Sequence, residues 1–146
     1  MQRRGRIAVI GVGNEFRRDD GVGWAVLARL GECPLPPDTD LATCDGDPGR
    51  LMGRWEGARL AVVVDAAHAH PGDPGRVHRL GLGEGVELGR VLGRLPQRLV
   101  VYAVEGADST LGTGLSPAVA EAVEPLVTAI TDEIAQETRE AARRPA

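Results

Sequence analysis

Apolar residues fall into short blocks separated by turns rich in Gly, Pro and Asp. Ile7 to Ile10 is a largely β-branched run that suits a strand buried on both faces. Gly11, Gly13 and Asn14 follow and let the backbone turn sharply. Val22, Ala25, Val26 and Leu30 then recur at helical spacing, with Asp19 or Asp20 available to cap that helix. After the Pro-rich loop 31–39, Leu41–Cys44 is a short strand ending at Asp45-Gly46-Asp47-Pro48-Gly49, and Leu51–Trp55 suggests a short helix. Arg59–Asp65 is the clearest strand, continuous, β-branched and ended by a carboxylate. Ala66–Gly75, with His68 and His70, reads as a loop. Arg76–Leu80 is either a very short strand or the lead into a helix. A mostly apolar stripe over Glu84–Leu95 predicts a helix closed by Pro96, and Arg98–Glu105 a further strand. Beyond the Gly-rich loop 106–114, Ser116-Pro117 starts a last helix with Val119, Val123, Leu126, Val127, Ile130 and Ile134 on one stripe. The charged tail from Glu137 is expected to fray.

Strands alternating with helices imply βαβ units and a mostly parallel sheet wrapped by helices. Three strand ends then carry acids: Asp19/Asp20, Asp45 and Asp65. In a parallel sheet those ends share one edge, so the carboxylates can converge where open α/β sheets bind ligands. Gathered carboxylates need a positive partner, which favours a cation site. An added histidine would suit a borderline transition metal better than magnesium. Of the three available, His68 and His70 read as solvated loop residues, and the residues alone do not decide His78.

Bulk properties narrow the classes. The 146 residues fit one domain, and 42% hydrophobic with 26% charged is ordinary for a globular protein. Aromatics at 3% and a net charge of −4 argue against nucleic-acid binding. Cys33 and Cys44 lie in no CxxC and read as reduced thiols, and neither has a His at motif spacing for a nucleophile. No signal-like or membrane-spanning run is expected, which points to the cytoplasm. The Gly11-x-Gly13 turn invites a nucleotide reading. Phe16 stands where a dinucleotide fingerprint needs its third Gly, however, and Asp19 and Asp20 would repel a pyrophosphate.

Gly11-Val-Gly-Asn14 with Asp19-Asp-Gly-Val-Gly23 resembles the N-terminal signature of the hydrogenase maturation proteases, endopeptidases that trim the C-terminal extension of the [NiFe]-hydrogenase large subunit. Asp45-Gly46…Gly49, Val62-Val-Val-Asp65-Ala66, His78-Arg-Leu-Gly81-Leu82-x-Glu84 and Gly112-x-Gly-Leu-Ser-Pro117 resemble further motifs of that family, in order along almost the whole chain. The resemblance implies an α/β, three-layer, phosphorylase/hydrolase-like fold with a twisted, mostly parallel sheet between helices. It implies a single domain over 1–146, its tail from about 138 frayed, and an aspartic or metal-dependent peptidase. It carries catalytic and metal contacts to Asp20 and Asp65, a third metal contact to His78, and substrate positioning to Asn14 and Asp45. Nickel would be that of the client, a nickel-loaded large-subunit precursor, met by a monomeric cytoplasmic protease. A non-catalytic docking module for the large subunit, or a small nucleotide-binding protein, are the alternatives. One departure matters: relatives have a longer segment between the Asp65 strand and the His motif. Val77-His78-Arg-Leu can therefore be the family's strand or its ligand motif, and the Gly81-Leu82 spacing favours the ligand.

Overall fold

The computed structural model describes residues 5–68, 71–82 and 96–143. Among these residues five strands form one sheet: β1 (Ile7–Val12), β2 (Thr39–Cys44), β3 (Leu60–Ala67), β4 (Val77–Leu82) and β5 (Arg98–Glu105), in the order β2-β1-β3-β5-β4. All pairs are parallel except β4–β5, which is antiparallel. Among the described residues, three α-helices accompany them: α1 (Val22–Leu30), α2 (Pro48–Trp55) and α3 (Pro117–Arg143). The helix expected over Glu84–Leu95 lies outside the described residues, as does His70.

Alternation along the central strands explains the three layers. Ile7, Val9, Leu60, Val62 and Val64 face α1 and α3 and pack on Val22, Val26, Leu30, Val123, Ile130 and Ile134. Ala8, Ile10, Ala61 and Val63 face the other way, toward Trp55, Leu51 and Met52 of α2. With both faces covered, β1 and β3 can be almost wholly apolar, as the sequence has them. The expected α/β architecture, a mostly parallel sheet between helices, is what the chain adopts.

Two local outcomes differ from expectation. Neither acid caps α1, whose N-cap is Gly21 with no side-chain bond; a 3-10 turn over Arg18–Gly21 precedes the helix and uses the acids otherwise. Helix α3 also runs to Arg143, well past the expected fray point, and Glu137 is only 1% exposed, against Arg98 and Arg59. Paired arginines turn a charge that reads as solvated into a buried one.

Chain order places the site. The chain leaves β1 for β2 on one side and then crosses back past β1 to β3 on the other, so a crevice opens beyond the carboxyl ends of β1 and β3. That reversal point is where doubly wound sheets bind their ligands.

Candidate active site at the carboxyl edge of the sheet

Two glycines let the acidic loop settle over that crevice. Gly13, at φ 130°, takes a backbone conformation closed to most side chains, and a Cβ there would lie 2.1 Å from the Asp20 carbonyl oxygen. Gly23, at the start of α1, would place a Cβ 2.6 Å from the Val64 carbonyl, so only glycine lets the helix start sit on β3.

Asp19 and Asp20, adjacent in sequence, have opposite fates. Asp19 is fully buried and accepts four hydrogen bonds, from the main-chain N–H of Ala107, Asp108 and Ser116 and from the Ser116 hydroxyl, at 2.7–2.9 Å. Burial pulls its pKa upward, but the four donors outweigh it and hold the carboxyl below its ordinary range. The residue staples the acidic loop to the segment after β5. Main-chain bonds between Arg18 and Gly112, Gly112 and Phe16, and Asp19 and Asp108 strengthen the same joint.

Asp20 turns the other way. Its Oδ2 accepts the Asn14 main-chain N–H at 2.9 Å, and its Oδ1 lies 3.8 Å from the His68 Nε2. Asp65, near the end of β3, accepts the Ala66 N–H at 2.8 Å. Partial burial pushes its pKa up and the Asp20 charge adds to the rise, while the Ala66 bond and His68 oppose it. Asp20, Asp65 and His68 thus share one electrostatic environment, and among the described residues no arginine forms an ion pair with either acid.

The remaining expected site residues fall elsewhere. Asn14 supports Asp20 through its main chain, its side-chain Oδ1 being taken by the Phe16 N–H at 2.9 Å. Asp45 follows β2 and spends its carboxylate on Arg50 at 2.7 Å and the Asp47 N–H at 3.1 Å, shaping the turn into α2, which Asp47 caps. His78 lies within strand β4, and its Nε2 is 2.7 Å from the Glu105 Oε2. Glu105 also accepts the Asp73 N–H at 3.0 Å, and these two bonds hold its pKa down. His78 and Asp65 are both in register with Ala103, so they stand two strands apart, about 9.5 Å. The structure therefore brings Asp20 and Asp65 together and sets His78 against Glu105. Among the described residues, the imidazole beside the acids is His68, which the sequence reads as a solvated loop residue. Its one available signal was position, just beyond a strand that ends in an acid.

Among the described residues, no three His, Cys, Asp or Glu side chains are gathered closely enough to hold a metal ion by themselves. The rim is an open set, with Asp20 about a quarter exposed and His68 half exposed. A cleft of about 600 Å³ opens beside it, running from Glu15 and Gly21 past Trp24 of α1 to Leu41–Thr43 of β2 and Thr113–Leu115.

No family model matches the chain. It is 25% identical over 139 residues to the hydrogenase 2 maturation protease of Escherichia coli (strain K12), covering 82% of this chain and 85% of that protein. Among solved structures, the E. coli hydrogenase maturating endopeptidase HybD superposes with a TM-score of 0.77 at 23% identity, over 90% of this chain and 93% of that one. The [NiFe] hydrogenase maturation protease HycI from Thermococcus kodakarensis KOD1 gives 0.69 at 25% identity, over 88% and 92%. The likeness to hydrogenase maturation proteases thus holds in sequence and in fold.

Proposed function

Proceeding from that likeness, we propose that this chain is a hydrogenase maturation endopeptidase, which removes the C-terminal extension of a nickel-loaded [NiFe]-hydrogenase large-subunit precursor in the cytoplasm and acts as a monomer. The observation that carries the reading is the Asp20–Asp65 pair at the reversal point of the sheet, which among the described residues has no arginine partner, in a protein of this similarity.

The chemistry follows from how the two carboxylates are held. One oxygen of each is fixed by a main-chain N–H, from Asn14 or Ala66, which orients the other without neutralising it. Two acids close enough to raise a pKa store repulsion that an approaching cation relieves. Nickel already seated in the client is such a cation, and hard carboxylate contacts can complete a coordination sphere that the client's own ligands leave open. A precursor lacking its metal offers nothing to offset the repulsion, so docking discriminates loaded from empty client. Asp65, whose pKa burial and the Asp20 charge push up, is suited to taking a proton from an attacking water. Asp20, more open, makes the first contact with the client. The cleft beside Gly21 gives an extended client segment a largely apolar path toward Asp20.

Cleavage of purified nickel-loaded precursor, followed by mass spectrometry, tests the reading. Loss of the extension is expected with the wild-type chain. An intact extension after prolonged incubation, with the two proteins still co-eluting, replaces the protease by a docking module.

A further inference from the structure

We infer that His68, rather than His78, is the third side chain that contacts the client's metal. The inference rests on the endopeptidase reading above but concerns a residue which that reading does not use.

Strand β3 continues two residues beyond Asp65, and the Gly106 N–H bonds the Ala67 carbonyl at 3.0 Å, so the backbone just before His68 is anchored to β5. His68 is thereby held at the same rim as Asp65, with its Nε2 3.8 Å from Asp20. That separation is longer than a hydrogen bond, and nothing there commits the ring nitrogen to the carboxylate. The ring is half exposed, so it is open to a metal brought from solvent or by a client. Two carboxylate oxygens and one imidazole nitrogen form a mixed set suited to a borderline divalent ion such as nickel. Among the described residues the three side chains are not gathered into a closed set, so a bound ion is what would draw them together.

His78 is unsuited on three counts. It sits inside the antiparallel edge strand, its Nε2 is committed to Glu105, and Glu105 is itself fixed by the Asp73 N–H. Reaching the acids would require breaking that pair and crossing the width of β5. The Gly81-Leu82 spacing that favours His78 as a ligand belongs here to a strand.

The test uses the full chain with 15N-labelled histidines, its three ring signals assigned through H68Q, H70Q and H78Q. Titration with nickel sulfate alone is expected to broaden the His68 ring first, and D20N should abolish that response. Calorimetry with cadmium chloride should show H68Q weakening binding by about ten-fold or more, with H78Q binding as the wild type does. First broadening at His78 or His70, no response from any ring, or unchanged cadmium binding by H68Q would overturn the assignment. The two levels remain separable: a wild-type chain that fails to cut loaded precursor sinks the endopeptidase reading, whereas the ring that responds decides the histidine.

Discussion

Two groups of acids in this molecule are treated in opposite ways. Beneath α3, Glu133 and Glu137 are 7% and 1% exposed, and arginines surround them. Glu133 meets Arg79 at 2.6 Å and Arg98 at 2.5 Å, with the Tyr102 hydroxyl at 3.4 Å. Glu137 meets Arg98 at 3.3 Å and Arg59 at 3.4 Å. At the carboxyl edge of the sheet, Asp20 and Asp65 have, among the described residues, each other, a main-chain N–H apiece and one histidine. The chain has 17 Lys and Arg to draw on, so a shortage of cations does not explain the contrast. Burial under a helix demands neutralised charge for stability. The rim keeps its charge unbalanced, which a fold tolerates where a ligand is to supply the balance. Asp19 sharpens the point, since one residue away from Asp20 it is wholly consumed by structure.

Substitutions should separate the two regions cleanly. The largest expected effect is on processing: D20N and D65N should each lower the rate of precursor cleavage by about 10²- to 10⁴-fold, read by mass spectrometry, with the fold intact by circular dichroism. Next comes Asp19→Ala, which leaves four half-buried donors without their acceptor and should cost about 2–3 kcal/mol, read as a fall in Tm of several degrees. E133Q should cost about 1–2 kcal/mol, because both its arginines keep partial access to water, and should leave cleavage at the wild-type rate. Activity loss in E133Q equal to that in D20N would erase the distinction between the regions.

The smallest effects lie in pH dependence, and their signs oppose one another. Asp19 has a lowered pKa, so its contribution to stability is present above the ordinary carboxylate value of about 3.9 and is lost as pH falls through the lowered folded value. Asp65 has a raised pKa, so it binds a proton more tightly folded than unfolded. Its ionisation costs stability as pH rises from the ordinary value through the raised one. Thermal melts from pH 3 to 8 should therefore show D65N as stable as the wild type or more so at neutral pH. The same experiment with D19N should show a flattened acid limb. A D65N protein clearly less stable at pH 7 would mean that the carboxylate serves the fold and not a ligand.

The strands were legible because their cause is local. β5 spans the expected Arg98–Glu105, and the expected cores of β1 and β3 lie within the observed strands. The meeting of Asp20 and Asp65 was also legible, since strand ends ordered by a parallel sheet share an edge. What escaped was tertiary. Asp19 reads as a helix cap because its true partner, Ser116, is far along the chain. Glu137 reads as part of a frayed tail because Arg59 and Arg98 come from other elements. His78 carried a motif's spacing, but spacing alone cannot tell a strand from a loop, and pairing with β5 decides it. His68 was overlooked because the loop was expected to begin at Ala66, whereas β3 extends to Ala67 and holds the ring at the rim.

The most direct test of the account is a paired cleavage assay, with nickel-loaded and nickel-free precursor presented side by side to the wild-type chain and to the D20N/D65N double variant. Loss of the C-terminal extension is expected only where the wild-type chain meets loaded precursor. Equal cutting of the nickel-free precursor, or cutting by the double variant at the wild-type rate, would contradict it.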